Sequence, residues 1–356
     1  MSLRIFLSSC SLLILVGCSS VDQGIDPAPA DGGGPGTTMG GKGDTGTTGS
    51  GGTDGSTGGS NGLDGGAGGA GIDGPGAASD AAGGTGPSDG GASGTSKCGA
   101  PLDTTAPTAT SLGSDGPEAV ASYSTGLPTS TAYKSLTVYY PSTGSGPYVV
   151  VMMSPGLTEV LQYWLLWARR FASYGYVAVF VEANDTSADS EAMRADGLWA
   201  AIGSIKGENT RAGSPLLGKL SGCIVTSGHS LGGGASLTIA NSHPGDVKGA
   251  LAFNPYDSTT TFSKIVAPTL ILAGQSDTTA PPAQHGRRQY DSMSTTLSKE
   301  YVEITGGNHQ AALFPAAIPG QYAVSWIKFT VDGDARYRPF LDQAASGLSG
   351  FATPLH

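Results

Sequence analysis

The sequence predicts an α/β fold, a mainly parallel sheet flanked by helices, confined to residues 98–356. Three observations predict it. From Leu136 onward, short apolar runs of strand length alternate with segments whose apolar residues recur at helical spacing. The same region holds 25 of the 26 aromatic residues, enough for one large core in 259 residues. The first 97 residues are unlike it: 28 of the 67 from Asp31 to Lys97 are glycine, and none from Ser19 to Lys97 is aromatic. A segment with so little apolar surface cannot offset the entropy of ordering its backbone, so it reads as a tail.

Taken in order, Leu136–Tyr140 reads as an edge strand ended by Pro141. Tyr148–Met153 is an unbroken apolar run of buried-strand type, stopped by Ser154-Pro155-Gly156. Val160–Tyr174 carries apolar and aromatic residues at helical spacing before Gly175. Val177–Val181 is the next strand, Ala192–Ile205 a helix, Cys223–Ser227 a strand and Gly233–Ser242 a helix. Strands follow at Ala250–Phe253, Thr269–Ala273 and Glu300–Ile304, then a last helix around Tyr322–Val331. Ligands of such sheets bind beyond the carboxyl ends of the strands. Only fifteen residues, Asn254–Pro268, separate two of the strands. They are too few for a lid domain, so the cleft is expected to be open and to show no interfacial activation.

Residues 1–17 read as a secretory signal, with Arg4 ahead of an apolar run too short to span a membrane. The ending Leu15-Val16-Gly17-Cys18 resembles a bacterial lipobox. The resemblance implies lipidation of Cys18 and, with Ser19 next, outer-membrane sorting in a Gram-negative host; the alternative is ordinary cleavage nearby with Cys18 left free. Residues 18–97 would then be a lipid-anchored Gly-rich tether, whose ~79 residues after the anchor span roughly 50 Å as a flexible coil. Cys98 and Cys223 remain after export. They can pair, closing a long loop for ~4–5 kcal/mol, or Cys223 can be a small buried hydrophobe. No zinc-type Cys/His spacing occurs, so no metal is expected. The tail carries −6 of the net charge of −10, leaving −4 on the domain. Without a Lys/Arg block, nucleic acid is excluded as a partner.

Gly228-His229-Ser230-Leu231-Gly232 stands between a strand and a helix. Glycines on both flanks let strand and helix approach, exposing the Ser230 hydroxyl and aiming the Leu231 N–H at a developing oxyanion. A serine needs a base, and hydrolases with this elbow supply an acid and then a histidine in that chain order. His309, in a loop directly after a strand, is the best base. His229 adjoins the serine but projects beneath the turn, His243 follows a helix beside Pro244, His285 falls in an expected helix, and His356 is terminal. Asp277, after the strand Thr269–Ala273, is the leading acid, with Asp257 one strand earlier as runner-up.

These motifs, with Pro268-Thr269-Leu270-Ile271, Asp277-Thr278-Thr279-Ala280-Pro281, Gly307-Asn308-His309, Ser325-Trp326-Ile327-Lys328-Phe329 and Asp334-Ala335-Arg336-Tyr337, resemble the bacterial cutinases. Those polyester-hydrolysing enzymes are related to poly(ethylene terephthalate) hydrolases and have the α/β-hydrolase fold. The resemblance runs from roughly Thr105 to Leu341. It implies Ser230 as nucleophile, His309 as base, Asp277 as its orienter, and the N–H groups of Leu157 and Leu231 as the oxyanion hole, with Ser154-Pro155-Gly156-Leu157 as the family's loop. It also implies a substrate cleft lined by Leu157, Tyr256, Thr279 and Gln310. The family usually has Tyr, Trp, Ile and an apolar residue there, so this cleft is expected to be more polar. The family's C-terminal disulfide lacks its cysteines here.

The expected activity is cofactor-free hydrolysis of short, medium-chain or polymeric esters, including aromatic polyesters, by a monomer tethered to the cell surface or released from it. Lipase-like or acetyl esterase activity is the alternative. A non-catalytic binding lipoprotein would not need all three of Ser230, Asp277 and His309.

Overall fold

The computed structural model describes residues 97–99, 104–259 and 261–356. The signal segment, Cys18 and the tether up to Ser96 lie outside the described residues. The described elements are β1 (Val120–Tyr123), β2 (Ser135–Pro141), β3 (Tyr148–Ser154), β4 (Val177–Glu182), β5 (Leu220–His229), β6 (Gly249–Phe253), β7 (Thr269–Gly274), β8 (Lys299–Ile304) and β9 (Leu348–Ala352). The helices are α1 (Ala109–Leu112), α2 (Leu161–Ser173), α3 (Glu191–Glu208), α4 (Leu231–Ser242), α5 (Gly286–Ser292) and α6 (Ala317–Trp326).

The strands form one sheet in the order β1-β2-β4-β3-β5-β6-β7-β8-β9. The run from β4 to β8 is parallel, while β1, β2 and β9 pair antiparallel. This is the α/β-hydrolase arrangement. Strand alternation builds two cores. Val150 and Met152 of β3 face Leu198, Ile202 and Ile205 of α3 and Leu237 of α4. Val149, Val151 and Met153 face the layer of α2 and α6. In α2 the buried residues Trp164, Trp167, Ala168 and Phe171 follow a spacing of three and four, one stripe of a helix. Trp167 stacks on Phe253 of β6 with centroids 4.7 Å apart. The described part of the 254–268 connection contains neither helix nor strand, so no lid domain is built there.

Three expectations need correction. The strand at Leu136–Tyr140 is not the edge: β1 pairs outside it, Tyr123 opposite Val138. With four residues and no buried alternation, β1 carries no periodic signal. The last helix starts at Ala317, five residues early, because Pro319 in the first turn needs no N–H partner and does not break it. After Trp326 it loosens into a π-helical turn, Ile327–Asp332, ended by Gly333 at φ 80°. His285 is not within a helix but immediately precedes α5. Cys98 and Cys223 are joined by a disulfide, their Cα atoms 6.1 Å apart, tying the start of the domain to β5. Among the described residues no helix is long and apolar enough to cross a membrane.

Candidate active site

The strand β5 runs straight into α4 through Ser230, held at φ 54° and ψ −121°. A non-glycine residue in this region is strained by about 1–3 kcal/mol and persists only where its surroundings fix it. Here the Ser230 N–H donates to the Phe253 carbonyl at 3.0 Å, and the Ser230 carbonyl accepts from Gly234 and Tyr256. The flanking glycines are steric requirements. A Cβ on Gly228 would stand 2.2 Å from the Gly232 carbonyl oxygen, and one on Gly232 would stand 2.0 Å from that of Ser154. Strand, turn and helix therefore close on each other with no room for a side chain.

Ser230 Oγ lies 2.8 Å from His309 Nε2, and His309 Nδ1 lies 2.8 Å from Asp277 Oδ2. The three residues come from the ends of β5, β7 and β8, so the sheet brings them together at one edge. Asp277 is buried, and burial alone would raise its pKa. Hydrogen bonds from His309, the Ala280 N–H and Asn254 outweigh it and hold the carboxyl below its usual range. Its Oδ1 accepts from the N–H groups of Thr279 and Ala280 at 2.9 and 2.8 Å. Asp257, the runner-up, turns away: it accepts from the Thr259 N–H and Thr238, and burial raises its pKa.

Asn254 was not anticipated. Its Nδ2 donates to Asp277 Oδ2 at 3.0 Å and to the Asn308 carbonyl at 3.3 Å, while its Oδ1 accepts from the Ala312 N–H. It thus joins the acid to the histidine loop. The available signal was an Asn at a strand end before Pro255, where its φ of 42° suits a residue tolerant of the left-handed region.

Gly156 brings the 154–157 loop against the elbow; a Cβ there would be 3.0 Å from Ser230 Cβ. Among the described residues, the N–H groups of Leu157 and Leu231 donate to no group of the protein. Around this opening Leu157 is 52% and Tyr256 39% exposed, and Tyr256 stacks on His285 at 4.6 Å. Thr279 and Gln310 are exposed, their backbone N–H groups turned inward to Asp277 and Asn308. Of the remaining histidines, His243 stacks on Trp199, His356 reaches the Thr295 carbonyl, and His229 lies beneath the turn. Among the described residues no three His, Cys, Asp or Glu side chains converge as a metal site. A hydroxyl, an imidazole and a charged carboxylate in hydrogen-bonded series can move a proton off oxygen, and two free N–H groups beside them can receive negative charge.

Residues 100–352 match the family model described as PET hydrolase-like. Cutinase 1 of Thermobifida cellulosilytica is 36% identical over 208 residues, which cover 58% of this chain and 76% of that protein. Cutinase est1 of Thermobifida alba is 33% identical over 207 residues, 58% of this chain and 68% of its own length. The bis(hydroxyethyl) terephthalate hydrolase of Streptomyces coelicolor is 30% identical over 226 residues, 63% of this chain and 70% of that one. With the family match running through every strand of the sheet and the whole of the hydrogen-bonded site, the chain belongs to the PET hydrolase-like family.

Proposed function

We propose that the protein is a serine-dependent carboxylic ester hydrolase of cutinase and polyesterase type. The observation that carries this reading is the unbroken hydrogen-bonded series Ser230–His309–Asp277 at the strand ends. Ser230 Oγ attacks the ester carbonyl carbon while its proton passes to His309 Nε2. Asp277 accepts from Nδ1 and stabilises the imidazolium. The oxyanion receives hydrogen bonds from the Leu157 and Leu231 N–H groups, each worth ~10²–10³ in rate. His309 returns the proton to the departing alkoxide, leaving an acyl group on Ser230. Water then attacks that acyl group with His309 again as base, releasing the acid. None of these steps requires a cofactor.

The absence of any helix or strand in the described part of the 254–268 connection supports access for bulky and polymeric esters. Leu157 and Tyr256 offer apolar and aromatic surface to the acyl or aryl part, while Thr279 and Gln310 make the rim more polar. This composition supports short and medium-chain esters, with aromatic polyesters as candidate polymers. We further propose that Cys18 carries a lipid anchor and that residues 19–97 tether a monomeric domain at the outer cell surface, within reach of insoluble substrate.

The test is hydrolysis of p-nitrophenyl butyrate by the full chain beside Ser230→Ala, then an acyl chain-length series and a polyester film. The expected result is turnover by the parent and loss of at least ~10³-fold in the variant. Equal rates in both would contradict the assignment.

A further inference from the structure

Beneath the elbow lies a second carboxylate–imidazole pair that the proposed chemistry does not use. The His229 ring is only 2% exposed. Its Nδ1 stands 2.5 Å from Glu159 Oε1, and its Nε2 stands 2.6 Å from the backbone carbonyl oxygen of His309. Glu159, 7% exposed, sits just after the 154–157 loop. Its Oε2 accepts from the Gly156 N–H at 2.7 Å and from Trp164 Nε1 at 3.0 Å.

The protons follow from the partners. A carbonyl oxygen cannot donate, so His229 Nε2 carries a hydrogen. Glu159 receives two N–H donors on one oxygen, the pattern of an ionised carboxylate. Burial pushes the Glu159 carboxyl up, but hydrogen bonds from His229, Gly156 and Trp164 bring it below the usual glutamate value. Nδ1 faces the Glu159 carboxyl at hydrogen-bond distance, so a proton is shared between them. The other titratable groups facing the pair are Arg194 of α3, itself beside Asp185 and Asp189, and on the far side His309, backed by Asp277.

We propose that Glu159 and His229 form a buried, hydrogen-bonded carboxylate–imidazole pair that positions both halves of the site, holding the 154–157 loop through the Gly156 N–H and the histidine loop through the His309 carbonyl. The inference deepens the esterase reading and rests on it for its kinetic consequence, though not for its structural one. Neither residue touches substrate; both are positioning residues. The pair spans the loop that presents the Leu157 N–H and the loop that presents the His309 ring, so loosening it misplaces groups that act in the transition state. The effect therefore falls on kcat and spares KM.

Two measurements on the full chain test it. In a histidine-labelled sample, ¹H–¹⁵N correlation of the imidazole nitrogens, with His229 assigned through His229→Asn, is expected to show a slowly exchanging proton in the hydrogen bond between His229 Nδ1 and Glu159. Absence of that proton would overturn the pair, whether or not the protein is an esterase. In Glu159→Gln, kcat for p-nitrophenyl butyrate is expected to fall about tenfold or more with KM within twofold, and Glu159→Asp to recover part of the loss. A kcat within twofold of the parent, or a loss carried by KM, would overturn the positioning role. An inactive parent would count against the esterase reading alone, and a poorly folding variant leaves the spectroscopic test decisive.

Discussion

At the strand ends Asp277 receives four hydrogen bonds, from His309, Asn254, Thr279 and Ala280, and stands below the normal carboxylate range. On β8 Glu300 is just as deeply buried, but among the described residues neither of its oxygens has a hydrogen-bond partner, and burial pushes its carboxyl well above the usual value. Glu191, at the start of α3, resembles Glu300: burial first, then the charge of Asp257, raises it to about 7, and its Oε1 has no hydrogen-bond partner among the described residues. The difference teaches that depth does not decide the charge of a buried acid; the supply of N–H donors does. The elbow region collects donors from the loops after β6, β7 and β8 and keeps its carboxylate ionised. The flanks supply none, and burial raises their carboxyls.

The largest expected effect comes from breaking the donor-rich side. Asp277→Asn keeps the shape but cannot accept from His309 in the same way, so kcat on p-nitrophenyl butyrate should fall ~10⁴-fold with an unchanged circular dichroism spectrum. Smaller effects with the opposite sense come from the flanks. Asp277 has a depressed folded pKa, so its contribution is present above the unfolded carboxyl range and lost as pH falls through the folded value. Glu300 and Glu191 have raised folded values. They cost nothing below the unfolded glutamate pKa of about 4.3 and increasingly destabilise the fold as pH rises from there. Thermal melts should therefore show Glu300→Gln gaining stability relative to the parent at pH 8 and less of it at pH 4.5. Glu191→Gln should behave alike on a smaller scale. Its gain grows from about pH 4.5 to 7 and levels off at ~1–2 kcal/mol once solvent screening is allowed for. Gains independent of pH would break the comparison.

Much of this site was legible in the residues. The Ser230 turn must be flanked by glycines, because backbone occupies the space of their Cβ atoms, and that requirement leaves a pattern. Asp277 and His309 follow from chain order and from their places after strands. Glu159 left no such mark, being one acidic residue in a loop whose meaning depends on His229, seventy positions away. Asn254 was hidden in the same way, since its contacts reach the loops at 277, 308 and 312. In the fold, strong apolar runs such as Tyr148–Met153 declared themselves, whereas β1 and β9 are short and half-exposed and owe their form to a neighbouring strand. The two cysteines could be paired by chemistry but not by distance until the fold brought Cys98 to β5.

The proposed chemistry requires Ser230 to be an activated nucleophile. The most direct measurement is intact-mass and peptide analysis of the full chain after brief exposure to a fluorophosphonate at pH 7.5. One phosphonyl adduct is expected, on Ser230, formed far more slowly in Asp277→Asn. A folded protein that takes no label, or takes it on another residue, would contradict it.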